Sequence, residues 1–104
     1  MSIDRGDSHF EDAGTWERAC RHIALFLYWA AERGLASDDH TPKAMAKNPT
    51  RHFIQWCDTK LWDDDLTDAG RAFAEAKYSA YCKEVSAYAK TVGVGDYELS
   101  LIHI

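Results

Sequence analysis

Apolar residues recur at helical spacing between Thr15 and Leu35, in the segment TWERACRHIALFLYWAAERGL. One stripe falls at offsets of 0, 4, 7, 11 and 14, and consists of Trp16, Cys20, Ile23, Leu27 and Ala30. This spacing is typical of one face of a helix with about 3.6 residues per turn. From Ile23 to Ala31 no polar face remains, and a helix that is apolar all round is usually covered on most sides. We therefore predict a central helix over about 15–34.

Further helices are predicted at about 42–47, 50–60 and 68–90. Thr41 and Pro42 have the chemistry of an N-cap and a first helical position, and Thr67 is a suitable N-cap for the last helix. The last helix carries two apolar stripes, of which one suits the central helix and the other a partner or additional C-terminal chain. The pattern predicts an all-α fold, a small bundle of three to four helices around the central apolar helix.

The segments outside this pattern are expected to contribute less to the core. Residues 1–13 are polar and irregular, and only Ile3 and Phe10 could dock, so a loose arm is predicted there. Three tryptophans fall on apolar stripes and are predicted to pack in the core, namely Trp16, Trp29 and Trp56.

The charge balance restricts the kinds of partner. The chain has 104 residues, which suits one domain, and its 17 acidic against 12 basic residues give a net charge of −5. Binding to nucleic acid or to an anionic membrane requires Lys and Arg to displace counterions, so both partners are disfavoured. A basic protein is the partner expected for such a chain.

Cysteine use and the terminal segments predict a cytoplasmic protein. Cys20, Cys57 and Cys82 are odd in number and widely spaced, which favours free thiols in a reducing compartment. The N-terminal residues contain acids and no apolar signal-peptide region. No apolar run approaches the roughly 20 residues of a membrane span.

The last six residues, LSLIHI, match one reading frame of the transposon mosaic end used in sequencing-library adaptors. We therefore predict a single helical domain over 1–98, truncated at its C-terminus, and a non-native tail at 99–104. The alternative is a genuine short β-strand over 97–104. On either interpretation, His103 is not taken as a functional residue.

The aspartates between Trp62 and Leu66 are the main candidate site. Asp63, Asp64 and Asp65 could hold a divalent cation through oxygen ligands, form an acidic surface for a basic protein, or lie in a solvated loop. They lack the spacing and central glycine of a calcium loop. Trp62 beside these acids has the composition of an interface hot spot.

The histidines and cysteines are not arranged as a recognisable site. His22 follows Cys20 by two positions, and such residues point about 200° apart on a helix. His52 and Cys57 are five positions apart, which is also unfavourable for a shared ion. A catalytic cysteine with a histidine from elsewhere would require the two to meet in the fold. We therefore predict packing cysteines and hydrogen-bonded or partly exposed histidines, with no catalytic, cofactor-binding or metal-binding residue.

Two segments, HIALFLYWAAERGL (22–35) and CDTKLWDDDLTDAGRAFA (57–74), carry a family resemblance. Together they resemble a family of small bacterial cytoplasmic domains of unknown function, some encoded among polymorphic toxin and immunity genes. The resemblance implies a role in immunity and supplies no catalytic residues. It also implies a further helical segment beyond position 97.

Two hypotheses of function follow. The first is a non-enzymatic acidic protein-binding domain, most specifically an immunity protein that neutralises a basic toxin. Its predicted contact residues are Asp38, Asp39, Trp62, Asp63, Asp64 and Asp65. The second is a small metal-dependent enzyme that combines the cluster from Asp63 to Asp65 with His40 or His52. A helical module of a larger assembly is the remaining alternative.

Overall fold

The computed structural model describes residues 2–95. The elements follow one another as β1 (Ser2–Arg5), α1 (Phe10–Ala13), α2 (Trp16–Glu32), α3 (Pro42–Met45), α4 (Pro49–Cys57), β2 (Lys60–Trp62) and α5 (Asp68–Thr91). Two 3-10 turns lie at Gly6–Ser8 and Asp63–Asp65. The fold is therefore mostly helical with a small two-stranded sheet, and the prediction of a purely all-α bundle is wrong.

The sheet pairs the first residues of the chain with the segment after α4. Strands β1 and β2 are antiparallel, with Arg5 opposite Lys60 and Ser2 opposite Trp62. The Gly6 N–H extends the contact by donating to the Thr59 carbonyl at 2.6 Å. Residues 2–13 are thus built into the fold, and for them the prediction of a loose arm, made for residues 1–13, is wrong. The predicted tail at 99–104 and the limit of the domain at 98 lie outside the described residues.

Helix α2 is the centre of the domain, as its apolar pattern predicted. The Thr15 side chain accepts from the Arg18 N–H at 3.2 Å and caps the start of the helix. Gly34 adopts φ +71° just after the end, and the Leu35 N–H returns to the Ala30 carbonyl at 2.8 Å. The largest fully buried side chains of the domain include Ile23, Phe26 and Leu27 of this helix, together with Phe53, Met45 and Leu61.

Two of the predicted core tryptophans face solvent. Trp56 is 65% exposed and Trp16 is 44% exposed, whereas Trp29 is half-buried against the core. The inner face of helix α4 consists of Phe53 and Cys57 together with the buried His52 and Thr50. The helix ends at Cys57, earlier than predicted, because Asp58 and Thr59 adopt positive φ values of 52° and 64° and lead into β2.

The loop after α2 is fastened to the start of α5. Ala36 forms an isolated antiparallel bridge with Leu66. The Thr67 N–H and hydroxyl both donate to the Leu35 carbonyl, at 2.8 and 3.1 Å. Thr67 also accepts from the Gly70 N–H, which confirms it as the N-cap of α5. These bonds bring together two loops that are about thirty residues apart in the chain.

Helix α5 packs one face on α2 and leaves another open.

Among residues 2–95, neither this helix nor any other is long and apolar enough to cross a membrane.

Candidate functional site

The two acidic segments singled out in the sequence are neighbours in the fold. The Ser37 N–H donates to the Asp65 carbonyl at 2.9 Å, so the turn containing Asp38 and Asp39 lies beside the 3-10 turn Asp63–Asp65. Asp38 and Asp39 are exposed, and the Asp64 side chain is 94% exposed. Trp62, just before the turn, is 42% exposed.

The carboxylates do not all face outwards. Asp68 lies beside this group with its side chain 94% exposed and pairs with Arg71, whose guanidinium is also 3.9 Å from Asp64. We call Asp38, Asp39, Asp64 and Asp68 the acidic surface. Asp63 is partly buried and belongs to the edge of this surface. Asp65 differs, because its carboxylate points inwards.

The inward carboxylate of Asp65 contacts His40, which also contacts His52 and Cys57. We call the four residues His40, His52, Cys57 and Asp65 the His40 cluster. His40 Nε2 is 2.9 Å from Asp65 Oδ1 and 3.7 Å from Cys57 Sγ. His40 Nδ1 is 2.9 Å from His52 Nε2. The His40 side chain is only 2% exposed and that of Asp65 is 16% exposed.

The four members of the His40 cluster come from three local structures. His40 lies in the loop before the Thr41 N-cap, and its N–H donates to the Ser37 carbonyl at 3.0 Å. His52 and Cys57 project from α4, and His52 stacks at 6.0 Å on the exposed ring of Trp56. Asp65 ends the 3-10 turn, where its second oxygen accepts from the Trp62 N–H at 2.9 Å.

The environment favours the neutral forms of Cys57 and His52. Burial raises the pKa of the Cys57 thiol, and the nearby Asp65 carboxylate raises it further. Burial lowers the pKa of His52, and the neighbouring His40 adds to that effect. Cys57 is therefore a thiol and His52 a neutral ring at neutral pH.

The contacts of the two His40 ring nitrogens differ from those in a catalytic Cys-His-Asp triad. In such a triad one ring nitrogen faces the nucleophile and the other faces the carboxylate. In the His40 cluster, Nε2 faces both Cys57 and Asp65, while Nδ1 faces His52. The arrangement therefore does not activate Cys57 as a nucleophile.

A second buried polar group ties the N-terminal strand to two helices, and we call Asp4, His9, His22 and Tyr78 the Asp4 cluster. Asp4 Oδ1 accepts from His9 Nε2 at 2.9 Å. Its Oδ2 accepts from the Tyr78 hydroxyl at 2.5 Å and from His22 Nε2 at 3.2 Å. Tyr81 adds a bond from its hydroxyl to the His22 carbonyl at 2.6 Å.

These donors hold Asp4 as a carboxylate. Burial by itself raises the pKa of Asp4, but the bonds from His22, Tyr78 and His9 outweigh it and bring the pKa to about 2. The same contact acts oppositely on the phenol, since burial and the Asp4 charge raise the pKa of Tyr78. Strand β1 is thereby linked electrostatically to α2 and α5.

Replacing Asp4 with asparagine should lower the free energy of unfolding by about 2 kcal/mol at neutral pH, as measured by urea unfolding. The folded pKa lies below the ordinary 3.8, so this stabilisation is present above about pH 4 and is lost as the pH falls through about 2. The difference in the free energy of unfolding between wild type and Asp4→Asn should therefore become smaller as the pH is lowered. Asp12→Asn, at an exposed acid, is the control and should show little gap at any pH. If the stability difference between wild type and Asp4→Asn did not depend on pH, the stabilising role of the Asp4 carboxylate would be contradicted.

Of the aspartates singled out in the sequence, Asp38, Asp39 and Asp64 are exposed, Asp63 is partly buried and Asp65 points inwards. Sequence reasoning missed both buried clusters. The expectation of hydrogen-bonded histidines agrees with His22, His40 and His52. Their partners are 12 to 25 positions away in the chain, from other elements. No helical spacing connects them, so the sequence carried no signal for these contacts.

The domain also has a large apolar groove, which shares Tyr81 with the surroundings of the Asp4 cluster. The groove has a volume of about 610 Å³ between α2 and α5. Its walls include Phe26, Trp29, Phe73, Tyr81, Val85 and Tyr88. Lys77 and Glu84 add charge to its lining. It contains none of the predicted contact residues.

The fold and the two polar clusters define a small, mostly helical domain with an N-terminal strand fastened to its core. A family model described as a domain of unknown function, DUF7832, matches residues 2–103, and the chain belongs to this family. Neither a search of curated proteins nor a search of solved structures returned a match. The predicted kinship with a domain of unknown function is confirmed at this level.

Proposed function

We propose that this chain is a non-enzymatic protein-binding domain that recognises a basic partner through the acidic surface. The observation that carries the proposal is the contact between the Ser37 N–H and the Asp65 carbonyl, which joins the two acidic segments into one surface. The proposal needs exposed carboxylates, and the side chains of Asp64 and Asp68 are each 94% exposed.

The exposed carboxylates of the acidic surface are better suited to promoting association with a partner protein than to stabilising the fold. Exposed carboxylates contribute little to folding, but a group of them steers an oppositely charged protein and raises its association rate. The whole chain carries a net charge of −5, which adds to the local effect. Arg71 offsets part of the charge of Asp68, so Asp38 and Asp39 are expected to contribute most.

An aromatic side chain beside the acids supplies the apolar part of such a contact. Trp62 is 42% exposed and immediately precedes the 3-10 turn. Tryptophan is enriched among the residues that dominate binding energy at interfaces. Asp65, which was predicted as a contact residue, has its carboxylate engaged with His40 and the Trp62 N–H, so we assign it to positioning the turn.

The geometry of the His40 cluster supports the non-enzymatic part of the proposal. Cys57 is buried, its pKa is raised, and it shares His40 Nε2 with Asp65. An activated nucleophile would instead be accessible and have a lowered pKa. More specifically, we propose that the basic partner is a toxin and that this domain acts as its immunity protein, as the family resemblance implies.

Reversing three charges tests the acidic surface. The combined variant Asp38→Lys/Asp39→Lys/Asp64→Lys should weaken binding to the partner by about tenfold or more, mainly through slower association. A two-hybrid screen with the wild-type chain identifies the partners, and calorimetry and stopped-flow mixing measure affinity and association rate. We expect partners with a strongly positive net charge and binding that weakens with salt.

The control is Glu11→Lys/Asp12→Lys/Glu32→Lys, which changes the net charge equally at exposed acids elsewhere. It should leave most of the affinity intact. Equal losses for both triple variants would mean that only net charge matters. Partners that are neutral or acidic, or that bind the first variant at full affinity, would refute the proposal.

A further inference from the structure

The geometry points to a transition-metal site of the zinc class formed by His40, Cys57 and Asp65, with His52 as its outer partner. This site goes beyond the proposed protein-binding function and does not depend on it. The three ligand atoms, one each from the imidazole, thiol and carboxylate, all lie within 4.8 Å of one another. His40 and Cys57 are buried and Asp65 is partly buried, so the atoms face each other in the interior.

The distances suit a tetrahedral ion. Zinc bonds of about 2.0–2.3 Å place neighbouring ligand atoms about 3.3–3.6 Å apart. Cys57 Sγ and His40 Nε2 are already 3.7 Å apart. His40 Nε2 and Asp65 Oδ1 are 2.9 Å apart and need to separate by a few tenths of an ångström. Side-chain rotation of the partly exposed Asp65 is sufficient for this change.

Two hydrogen-bond contacts orient the ligand residues His40 and Asp65, and both come from groups that do not bind the ion. His40 Nδ1 faces His52 Nε2 at 2.9 Å, so a proton on Nδ1 leaves the Nε2 lone pair directed at the ion. The Trp62 N–H donates to the second oxygen of Asp65 at 2.9 Å and leaves Oδ1 for coordination. Outer partners of this kind fix the ring tautomer and the ligand orientation in metal sites.

The charges balance when the ion is bound. A divalent ion, a Cys57 thiolate, an Asp65 carboxylate and a neutral His40 sum to zero, so no uncompensated charge is buried. The thiol proton passes to solvent. The His40 ring proton that lies between Nε2 and Asp65 is exchanged through solvent for one on Nδ1, where it faces His52 Nε2, so the ring stays neutral and the ion takes the vacated position. A mixed sulfur, nitrogen and oxygen ligand set favours Zn²⁺ or Co²⁺ over Mg²⁺ or Ca²⁺. A water molecule supplies the fourth ligand.

The Asp4 cluster is the competing location. Asp4, His22 and Cys82 also bring ligand atoms within 4.8 Å. An ion there would replace the bond from His22 to Asp4 and would also compete with His9 or Tyr78, because each Asp4 carboxylate oxygen already accepts from one of these two. In the His40 cluster the ion replaces the bond between His40 and Asp65, while the contacts of His40 with His52 and of Asp65 Oδ2 with the Trp62 N–H persist. We therefore assign the site to the His40 cluster.

Cobalt provides the direct test, because a thiolate bound to Co²⁺ gives a charge-transfer absorption in the near ultraviolet. The full chain, freed of metal with a chelator, is titrated with Co²⁺ and then Zn²⁺ by absorption and calorimetry. We expect one ion per chain, the charge-transfer band, and displacement of Co²⁺ by Zn²⁺. Absence of the band in the wild-type chain would overturn the proposal.

Two cysteine variants locate the ion. Cys57→Ser should lose the band, whereas Cys82→Ser should bind Co²⁺ as the wild type does. The opposite pattern would assign the ion to Asp4, His22 and Cys82 and overturn the proposal. Circular dichroism checks the fold of each variant. If Cys57→Ser fails to fold, NMR of the histidine rings in the wild-type chain decides, since Zn²⁺ must shift His40 Nε2. An unchanged His40 ring would overturn the assignment.

His52 is tested as a positioning residue. His52→Leu should weaken Zn²⁺ binding by about 10–100-fold while retaining the cobalt band, because the outer acceptor is lost and the ligands remain. His52→Gln places an acceptor near the same position and should recover most of the affinity. Equal affinity for wild type and His52→Leu would remove His52 from the site.

Discussion

Replacing Phe26 with alanine is expected to lower the free energy of unfolding by about 3–5 kcal/mol, a large part of the about 5–15 kcal/mol typical of a domain. Phe26 is 1% exposed at the centre of α2. Its ring lies 5.0 Å from that of Tyr78 and 5.1 Å from that of Tyr81, both in edge-to-face geometry. The substitution removes these contacts and leaves a cavity between α2 and α5.

Urea unfolding followed by far-ultraviolet circular dichroism measures the loss for Phe26→Ala. Phe26→Leu preserves most of the volume and should lose clearly less. Tyr88→Ala removes an aromatic ring that is 41% exposed and serves as the surface control. A loss below about 1 kcal/mol for Phe26→Ala would mean that the ring is not enclosed by α5 in solution.

The helices could be predicted because their signals are local. Thr15, Thr41 and Thr67 each accept a hydrogen bond from a backbone N–H three residues later, as N-caps do. Gly34 adopts the positive φ that ends α2. Such signals involve neighbours in sequence, and the apolar stripe of the central helix adds a regular period.

The sheet could not be predicted because its two strands have short, mixed sequences. β1 reads SIDR and β2 reads KLW, and neither has the alternation of a longer strand. Their pairing joins residues that are about 55 positions apart, as with Arg5 and Lys60. Two donors to the Asp4 carboxylate of β1, His22 and Tyr78, belong to α2 and α5, and the short sequence of β1 does not indicate these contacts.

Part of the candidate site could be predicted from the sequence. The alternative hypothesis combined the aspartate cluster with His40 or His52. In the fold, Asp65 contacts His40, and His40 in turn contacts His52. The hypothesis did not include Cys57, because His52 and Cys57 are poorly spaced to share an ion on one helix. His40 resolves this difficulty from a separate loop by facing His52 with one ring nitrogen and Cys57 with the other.

The misjudged tryptophans show the limit of apolar periodicity. Trp56 lies on the stripe of α4, yet it is 65% exposed and covers His52. A short helix needs few inward positions, and in α4 these are taken by Phe53 and Cys57 with His52 and Thr50. Periodicity indicates which residues share a face, but how much of that face is covered depends on the neighbouring elements.

Replacing Gly70 with alanine is expected to destabilise the domain by about 3 kcal/mol, against the direction that helix propensity alone predicts. Gly70 lies in the first turn of α5, where an alanine would ordinarily gain up to about 1 kcal/mol. An added Cβ would meet the Leu35 carbonyl far inside van der Waals contact and would lie 3.1 Å from Leu66 Cβ.

The cost of Gly70→Ala is large because backbone, and no flexible side chain, blocks the added atom. The Leu35 carbonyl is held by both the N–H and the hydroxyl of Thr67, so it cannot move without breaking these bonds. The same bonds join the two acidic loops. The geometry of the acidic surface is therefore connected to the close contact between the Leu35 carbonyl and Gly70. Urea unfolding of Gly70→Ala, beside Ala72→Gly at an exposed position of the same helix, separates packing from propensity. If both substitutions changed stability by the propensity difference alone, with opposite signs, the contact between Leu35 and Gly70 would not exist in solution.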